Sequence, residues 1–226
     1  MPTGVHANER RPTEDGASAI AATLEEDIVL GLLAPRVRLV EDDLMERFGA
    51  KRHVVRDALA QLEDVGLLER KRNIGSMVKA FGKDEVIHLY EMREILEAEA
   101  MRKIPLPLSS EALRQLKSIQ AGPDEAIQKQ DPRGIFRTNH EFHRLLFAQC
   151  GNAFLSQSIE EFARRTHAIR FGALMSRERQ LQSQKEHHEL LALLEAGARE
   201  SLSARTGAHL VPPRDHYLKA QEALLP

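Results

Sequence analysis

The chain has 226 residues and carries 32 Lys and Arg against 34 Asp and Glu, a formal net charge of −2. That length suits two domains of about 100–150 residues, and the charge balance excludes a uniformly basic surface, so any nucleic-acid or membrane contact must be local. Hydrophobic residues at 42% beside 29% charged describe a core-forming chain, with 4% aromatics and no Trp, and no apolar run approaches the roughly 18 residues of a membrane span. The single cysteine, Cys150, excludes an internal disulfide and a zinc site built of several thiolates. With a polar N-terminus that lacks a signal-type apolar stretch, the expected location is the reducing cytoplasm.

Taken in order, residues 1–16 carry Pro, Gly and charges without periodicity and are predicted to be a disordered tail. From Ala17 to Leu33, Ile20, Leu24, Ile28 and Leu32 recur at helical spacing, and Gly31 and Pro35 close that helix. A second helix is predicted at Glu41–Phe48 before Gly49, and a third at Lys51–Val65 before Gly66. The runs Leu67–Lys71 and Ser76–Lys79, around Arg72-Asn73-Ile74-Gly75, read as a β-hairpin. Beyond Gly82 only helical signals follow. They are broken at Pro105/Pro107, Gly122-Pro123, Asp131-Pro132, Gly151, a polar stretch from Ser176 to Ser183, Gly197 and Pro212-Pro213. The predicted fold is mainly α: a three-helix domain with a hairpin over 17–80, then an all-α bundle of six or seven helices over 84–226.

The N-terminal order of helix, helix, helix, hairpin is that of a winged helix-turn-helix, in which the start of the third helix enters the major groove and the hairpin flanks it. Charge is local there: residues 47–79 hold eight Lys or Arg against four acids. The basic residues cluster at the third helix start, Lys51-Arg52-His53 with Arg56, and at the hairpin tip around Arg72-Asn73. One basic cluster alone is ordinarily a solvated face; two in this order point to DNA.

In the C-terminal part, polar side chains share apolar faces. Asn139 and His143 lie on the stripe Ile135, Phe142, Leu146 and Cys150. His187 shares a face with Leu190, Leu191 and Leu194, and His209 lies on the stripe of Ala198, Leu202 and Arg205. Buried polar groups cost about 1–3 kcal/mol if unsatisfied, so these need partners. One solution is a hydrogen-bonded core, the commoner fate of a lone inward histidine. The other is convergence on a metal, since imidazoles suit Zn, Ni, Cu or Fe and facing helices build such sites. Arg170 ends a helix on the same interior, where an arginine would grip a carboxylate bidentately. His140, His167 and His188 read as peripheral, and Cys150 as a small core residue.

The stretch Leu24, Ile28, Gly31, Pro35, Arg38-Leu39, Glu41, Leu44, Phe48-Gly49, Arg52, Val55-Arg56, Ala58-Leu59, Leu62, Gly66-Leu67, Asn73, Gly75 and Val78 resembles the winged helix-turn-helix of GntR-family bacterial transcription regulators. The resemblance implies a dimer on a palindromic operator, contacted by Arg52, Arg56 and the wing residue Gly75. Lys51 and His53-Val54 stand where that family usually has Ser and Thr-Pro, so the operator sequence does not carry over.

Residues 84–210 likewise resemble the FCD effector-binding domain of the FadR-type branch, through Tyr90-Glu91, Arg93, Leu96-Glu97, Asn139, Phe142-His143, Gly151-Asn152, Glu186-His187 and His209-Leu210. That resemblance implies a divalent metal, Zn or Ni, at Asn139, His143, His187 and His209, with Asn139 in place of the usual Asp. A carboxylate effector would be held by Arg93 and Arg170; an intra-bundle salt bridge to Glu97 or Glu99 is the alternative for Arg93. The expectation is a homodimeric, ligand-responsive repressor. The alternative is a metal-dependent enzyme using the three histidines.

Overall fold

A computed structural model describes residues 13–169, 176–206 and 209–222. The chain divides into two compact units, one of residues up to Glu25 with Ala34–Lys79, the other of Glu26–Leu33 with the residues from Ala80 onward. The tail expected over 1–16 lies outside the described residues as far as residue 12, and from Thr13 the chain is helical.

In the first unit, α1 (Thr13–Val29) buries Ala17, Ile20, Ala21 and Leu24. Leu32, expected on the same face, is 67% exposed, because the helix has ended at Val29 and Gly31 turns with φ +73°. α2 (Glu41–Phe48) opens on Glu41, Asp42 and Asp43, acids that complement the positive end of the helix dipole. α3 (Arg52–Val65) packs Val55, Ala58, Leu59 and Leu62 inward at spacings of three and four, leaving Arg52, His53 and Arg56 outside. The hairpin pairs β1 (Leu68–Lys71) with β2 (Gly75–Val78) antiparallel, Leu68 opposite Val78 and Lys71 opposite Gly75. Its tip needs left-handed backbone at Asn73 (φ 63°) and Gly75 (φ 99°), conformations that Asn and Gly adopt most cheaply. Arg38 bridges to Met77, so β2 is covered on its second edge as well.

The second unit includes the helices α4 (Lys83–Lys103), α5 (Ser110–Lys129), α6 (Pro132–Ala148), α7 (Ala153–Arg165), α8 (Arg177–Ala196), α9 (Arg199–Thr206) and α10 (Val211–Glu222). Its core is built from Ala100, Met101, Ile104, Leu113, Leu116, Phe142, Leu146, Leu191, Leu194 and Leu202. Each large apolar side chain buried there contributes about 1.5–3 kcal/mol. The last turn of α1 belongs to this unit, where buried Glu26 and Asp27 receive Arg133 at 2.7 and 2.5 Å and Glu26 also receives Arg137 at 2.5 Å.

Three expected breaks fall differently. Gly122-Pro123 does not interrupt α5. Pro123 is buried inside the helix, and a Cβ on Gly122 would stand 2.9 Å from Thr138 Cγ2, so the glycine permits close approach to α6. The polar stretch after Ser176 is helical, with the Ser176 side chain capping Arg179 N, so α8 starts at Arg177 rather than near Ser183. His209 sits in the turn between α9 and α10 rather than on a helical stripe, and Pro212-Pro213 occupy the first turn of α10, where their missing N–H groups cost little.

Candidate functional site

The first unit gathers Arg52 and Arg56 of α3 and Gly75 of the wing, with Arg38, Glu41, Asp42 and Arg70, around a cleft of about 300 Å³. Lys51, His53, Arg72 and Asn73 are exposed but do not line it. Ser76 Oγ donates to Glu63 Oε1 at 2.6 Å and ties the wing to α3. The two arginines are held from one side. Arg56 Nε donates to both oxygens of Glu41 at 2.9 and 3.0 Å, and Arg52 donates from its terminal nitrogens to Glu41 Oε2 at 3.0 Å and Asp42 Oδ1 at 2.5 Å. The hydrogen bond from Arg56 is the largest influence on Glu41; desolvation opposes it, but with the hydrogen bond from Arg52 and the attraction of both guanidinium groups it keeps the carboxyl below its ordinary range, hence ionised.

The second unit builds its polar site from α4, α5, α6, α8 and the turn after α9. His187 is buried, its ring stacked on Phe142 with centroids 4.2 Å apart. Its Nδ1 lies 2.8 Å from Gln120 Oε1, and Gln120 Nε2 donates to Asp124 Oδ1 at 2.9 Å. The amide oxygen therefore faces the histidine, which makes Nδ1 the donor and leaves the Nε2 lone pair directed at His143 Nε2, 3.3 Å away. The His209 ring stacks on His143 with centroids 5.6 Å apart, and its Nε2 lies 3.3 Å from Glu97 Oε2.

These donors partly fit a divalent ion. Two imidazole nitrogens on one tetrahedral metal, each bonded at about 2.0–2.1 Å, stand about 3.3–3.4 Å apart, which matches His143 and His187. Asn139 Oδ1 and His209 Nε2 are buried and form no hydrogen bond among the described residues. Yet no three His, Cys, Asp or Glu side chains close around one point among those residues, because His209 Nε2 faces Glu97. His143 and His187 are together, with Asn139 beside His187 at a small cleft under α5 and α8.

His143 also lines a larger cavity of about 240 Å³ with Arg93, Glu97, His140, Arg144, Glu160 and His167. Arg93 is buried and committed: Nε and Nη2 donate to Glu97 Oε1 at 3.0 and 2.7 Å, and Nη1 donates to Thr166 Oγ1 at 3.0 Å. The intra-bundle salt bridge is thus what the arginine makes, and Arg170 lies outside the described residues. Of the histidines read as peripheral, only His188 is mostly exposed, at 54%; His167 is buried and lies edge-on to His140, with ring centroids 4.9 Å apart. Burial pushes the Glu160 carboxyl up, but the hydrogen bond from His140 at 2.9 Å, with the nearby His167 and Arg164, holds it below its ordinary range. Arg144, at the cavity wall, has no ion-pair partner among the described residues.

Sequence reasoning did not single out Gln120, Arg144 or Glu160. Gln120 carried a signal, since Leu113, Leu116, Gln120, Pro123 and Ile127 follow one another at steps of three and four and are all buried.

A basic helix start beside a hairpin in one unit, and a polar site inside a helical bundle in the other, define a winged-helix DNA-binding protein with a helical C-terminal domain. Residues 17–78 match the bacterial regulatory proteins of the gntR family, and residues 88–211 match the FCD domain. The chain belongs to the GntR-type transcription regulators that carry an FCD domain.

It is similar to the HTH-type transcriptional repressor RspR of Escherichia coli (strain K12), 26% identical over 71% of this chain and 70% of that protein. It is also similar to the regulator YdhC of Bacillus subtilis (strain 168), 25% identical over 85% of this chain and 87% of that one. Among solved structures, a GntR-type regulator from Rhodococcus sp. RHA1 superposes with a TM-score of 0.76 at 19% identity, covering 91% of this chain and 99% of that one. McbR/YncC of Escherichia coli gives 0.73 at 20% identity, over 91% and 98%. No helix among the described residues is long and apolar enough to cross a membrane.

Proposed function

We propose that this regulator is a cytoplasmic repressor that binds a palindromic operator as a homodimer and leaves it when a small carboxylate metabolite enters the bundle cavity beside a divalent metal. The observation that carries the reading is the His143–His187 pair, nitrogens 3.3 Å apart, with His143 opening onto a 240 Å³ cavity walled by Arg144. A metal would be held by those two imidazoles with Asn139 and His209 completing the set. These four neutral ligands leave its charge uncompensated and favour an anion in any open position. Arg144 takes the carboxylate role that Arg93, paired with Glu97, does not offer.

Repression is the function for which RspR is named, and the regulators among this chain's relatives favour this reading over a hydrolase built on the three histidines. Dimerisation is supported by Met92 and Ile95 of α4 and Phe154 of the adjacent α7, apolar residues 38%, 63% and 84% exposed. A second reading, a polar pocket that needs no metal, is favoured by the His187 Nδ1–Gln120 Oε1 hydrogen bond at 2.8 Å and by His209 Nε2 lying at ion-pair distance from Glu97 Oε2, 3.3 Å.

The test is fluorescence-anisotropy binding of untagged protein to the DNA beside its own gene, in a salt series, paired with elemental analysis. The reading expects two chains per operator, one metal per chain, loss of that metal in His187→Ala, and release of DNA by one member of a carboxylate panel. Protein that is metal-free, insensitive to chelation and still released by a carboxylate would establish the second reading instead.

A further inference from the structure

Glu41 is placed to do more than complement the dipole of α2 from its first turn. Its two carboxylate oxygens take the Nε edge of Arg56 at 2.9 and 3.0 Å, and the side chain is only 26% exposed while Arg56 is 60% exposed. An arginine gripped by Nε keeps its terminal Nη1 and Nη2 donors, the pair that reads guanine O6 and N7, and no hydrogen bond from either is formed among the described residues. Arg52 is held the opposite way, its terminal nitrogens going to Glu41 and Asp42 at 3.0 and 2.5 Å. The same carboxylate therefore leaves one recognition-helix arginine with its fork open and ties up the fork of the other.

We propose that Glu41 is a positioning residue for sequence readout, which orients Arg56 for a base edge and, with Asp42, restrains Arg52 from indiscriminate phosphate binding. The geometry assigns the division of labour: Arg56 reads, Arg52 is released only where the backbone it meets outcompetes two carboxylates. Loss of Glu41 then costs discrimination rather than adhesion, since removing a negative charge beside the DNA face strengthens binding to any duplex. The proposal rests on the reading of α3 as the DNA-contacting helix.

The experiment selects duplexes from a random-sequence library with full-length wild type, Arg56→Ala, Glu41→Gln, Glu41→Asp and Asp42→Asn. It then measures the affinity of each protein for the best wild-type duplex and for a scrambled one. Arg56→Ala should lose preference at particular base positions, and Glu41→Gln and Glu41→Asp should lose it at the same positions. The operator-to-scrambled affinity ratio should fall about 5- to 20-fold in these variants, within the range of a lost base contact. Asp42→Asn should bind the scrambled duplex more tightly while keeping those preferences, which separates positioning from charge alone.

Wild-type base preferences in folded Glu41→Gln and Glu41→Asp would overturn the proposal, as would the same losses in Asp42→Asn. A profile unchanged in Arg56→Ala would instead bring down the recognition-helix reading itself, and is visible without reference to Glu41. Should the glutamine variant not fold, as judged by its thermal melt, the aspartate variant carries the comparison.

Discussion

The two units place charge in opposite ways. In the winged unit Arg52 and Arg56 stand out in solvent, 48% and 60% exposed, and are steered by carboxylates from one side only. In the bundle Arg93 and Glu97 are 2% and 1% exposed and paired inside the core, through Glu97 Oε1. A group in water is available to a partner and adds little to stability, whereas a buried charge is part of the fold and available only where a cavity reaches it. Substitutions should therefore separate binding from stability in the first unit and entangle them in the second.

The largest expected effect is at Arg93. Arg93→Ala leaves the Glu97 carboxylate buried without its guanidinium and should destabilise the bundle by about 3–5 kcal/mol in urea titrations. A loss under about 1 kcal/mol would show that the pair is not the buried charge pair described, and would erase the contrast between units. Next is Gln120→Ala, which removes the acceptor of His187 Nδ1. It should cost about 1–3 kcal/mol of stability. If a metal is held, it should also lower the affinity for added Zn about 10- to 100-fold, since the tautomer of a ligating histidine is then no longer set. Full Zn affinity in a destabilised Gln120→Ala protein would confine Gln120 to packing.

Arg52→Ala and Arg56→Ala should show the reverse pattern. Arg56→Ala is expected to weaken operator binding by about 1–3 kcal/mol through a lost base contact, Arg52→Ala to weaken it through a lost backbone contact, and each to change unfolding free energy by no more than about 0.5 kcal/mol. A melt shifted as far as the affinity would place these arginines in the fold rather than on the DNA.

What the sequence made legible follows the same division. The winged unit repeats short rules within a few residues: apolar positions at three and four, glycines at helix ends, an Asn-x-Gly tip. Its charged residues can be outside or in a groove, and both readings leave them exposed. The bundle depends on contacts far apart in the chain.

Asn139 and His187 were found because each lies on an unbroken apolar stripe. Gln120 lies on one too, but Gly122-Pro123 looked like a helix end, whereas the helix runs on to Lys129 with Pro123 buried inside it. His209 was placed on a helical stripe although Gly207, directly after Thr206 at the end of α9, is the residue type that ordinarily stops a helix. The commitment of Arg93 to Glu97 was one of two open alternatives, and spacing alone does not choose between a partner four residues away and a ligand.

The smallest effect tests how far partial burial carries this contrast. Glu26 is buried in the bundle unit, but its partners Arg133 and Arg137 are 34% and 64% exposed, so water screens what they contribute. Burial raises the carboxyl's pKa, and the hydrogen bonds and attraction of Arg137 and Arg133 outweigh it, leaving the folded value below the unfolded one. A carboxyl shifted in that sense contributes stability above its unfolded pKa of about 4.3 and loses it as pH falls through the folded value.

Glu26→Gln should therefore be less stable than wild type at pH 7 by about 1 kcal/mol, the scale of a solvent-screened pair. That gap should narrow steadily as acid is added below about pH 4.3, because wild type then loses the same charge. Urea titrations at neutral and acid pH read the difference directly. An unchanged gap would mean that Glu26 acts through shape and hydrogen bonding, as the deeper pair on α4 does through burial, and that solvent at the arginine ends does not set what the ion pair is worth.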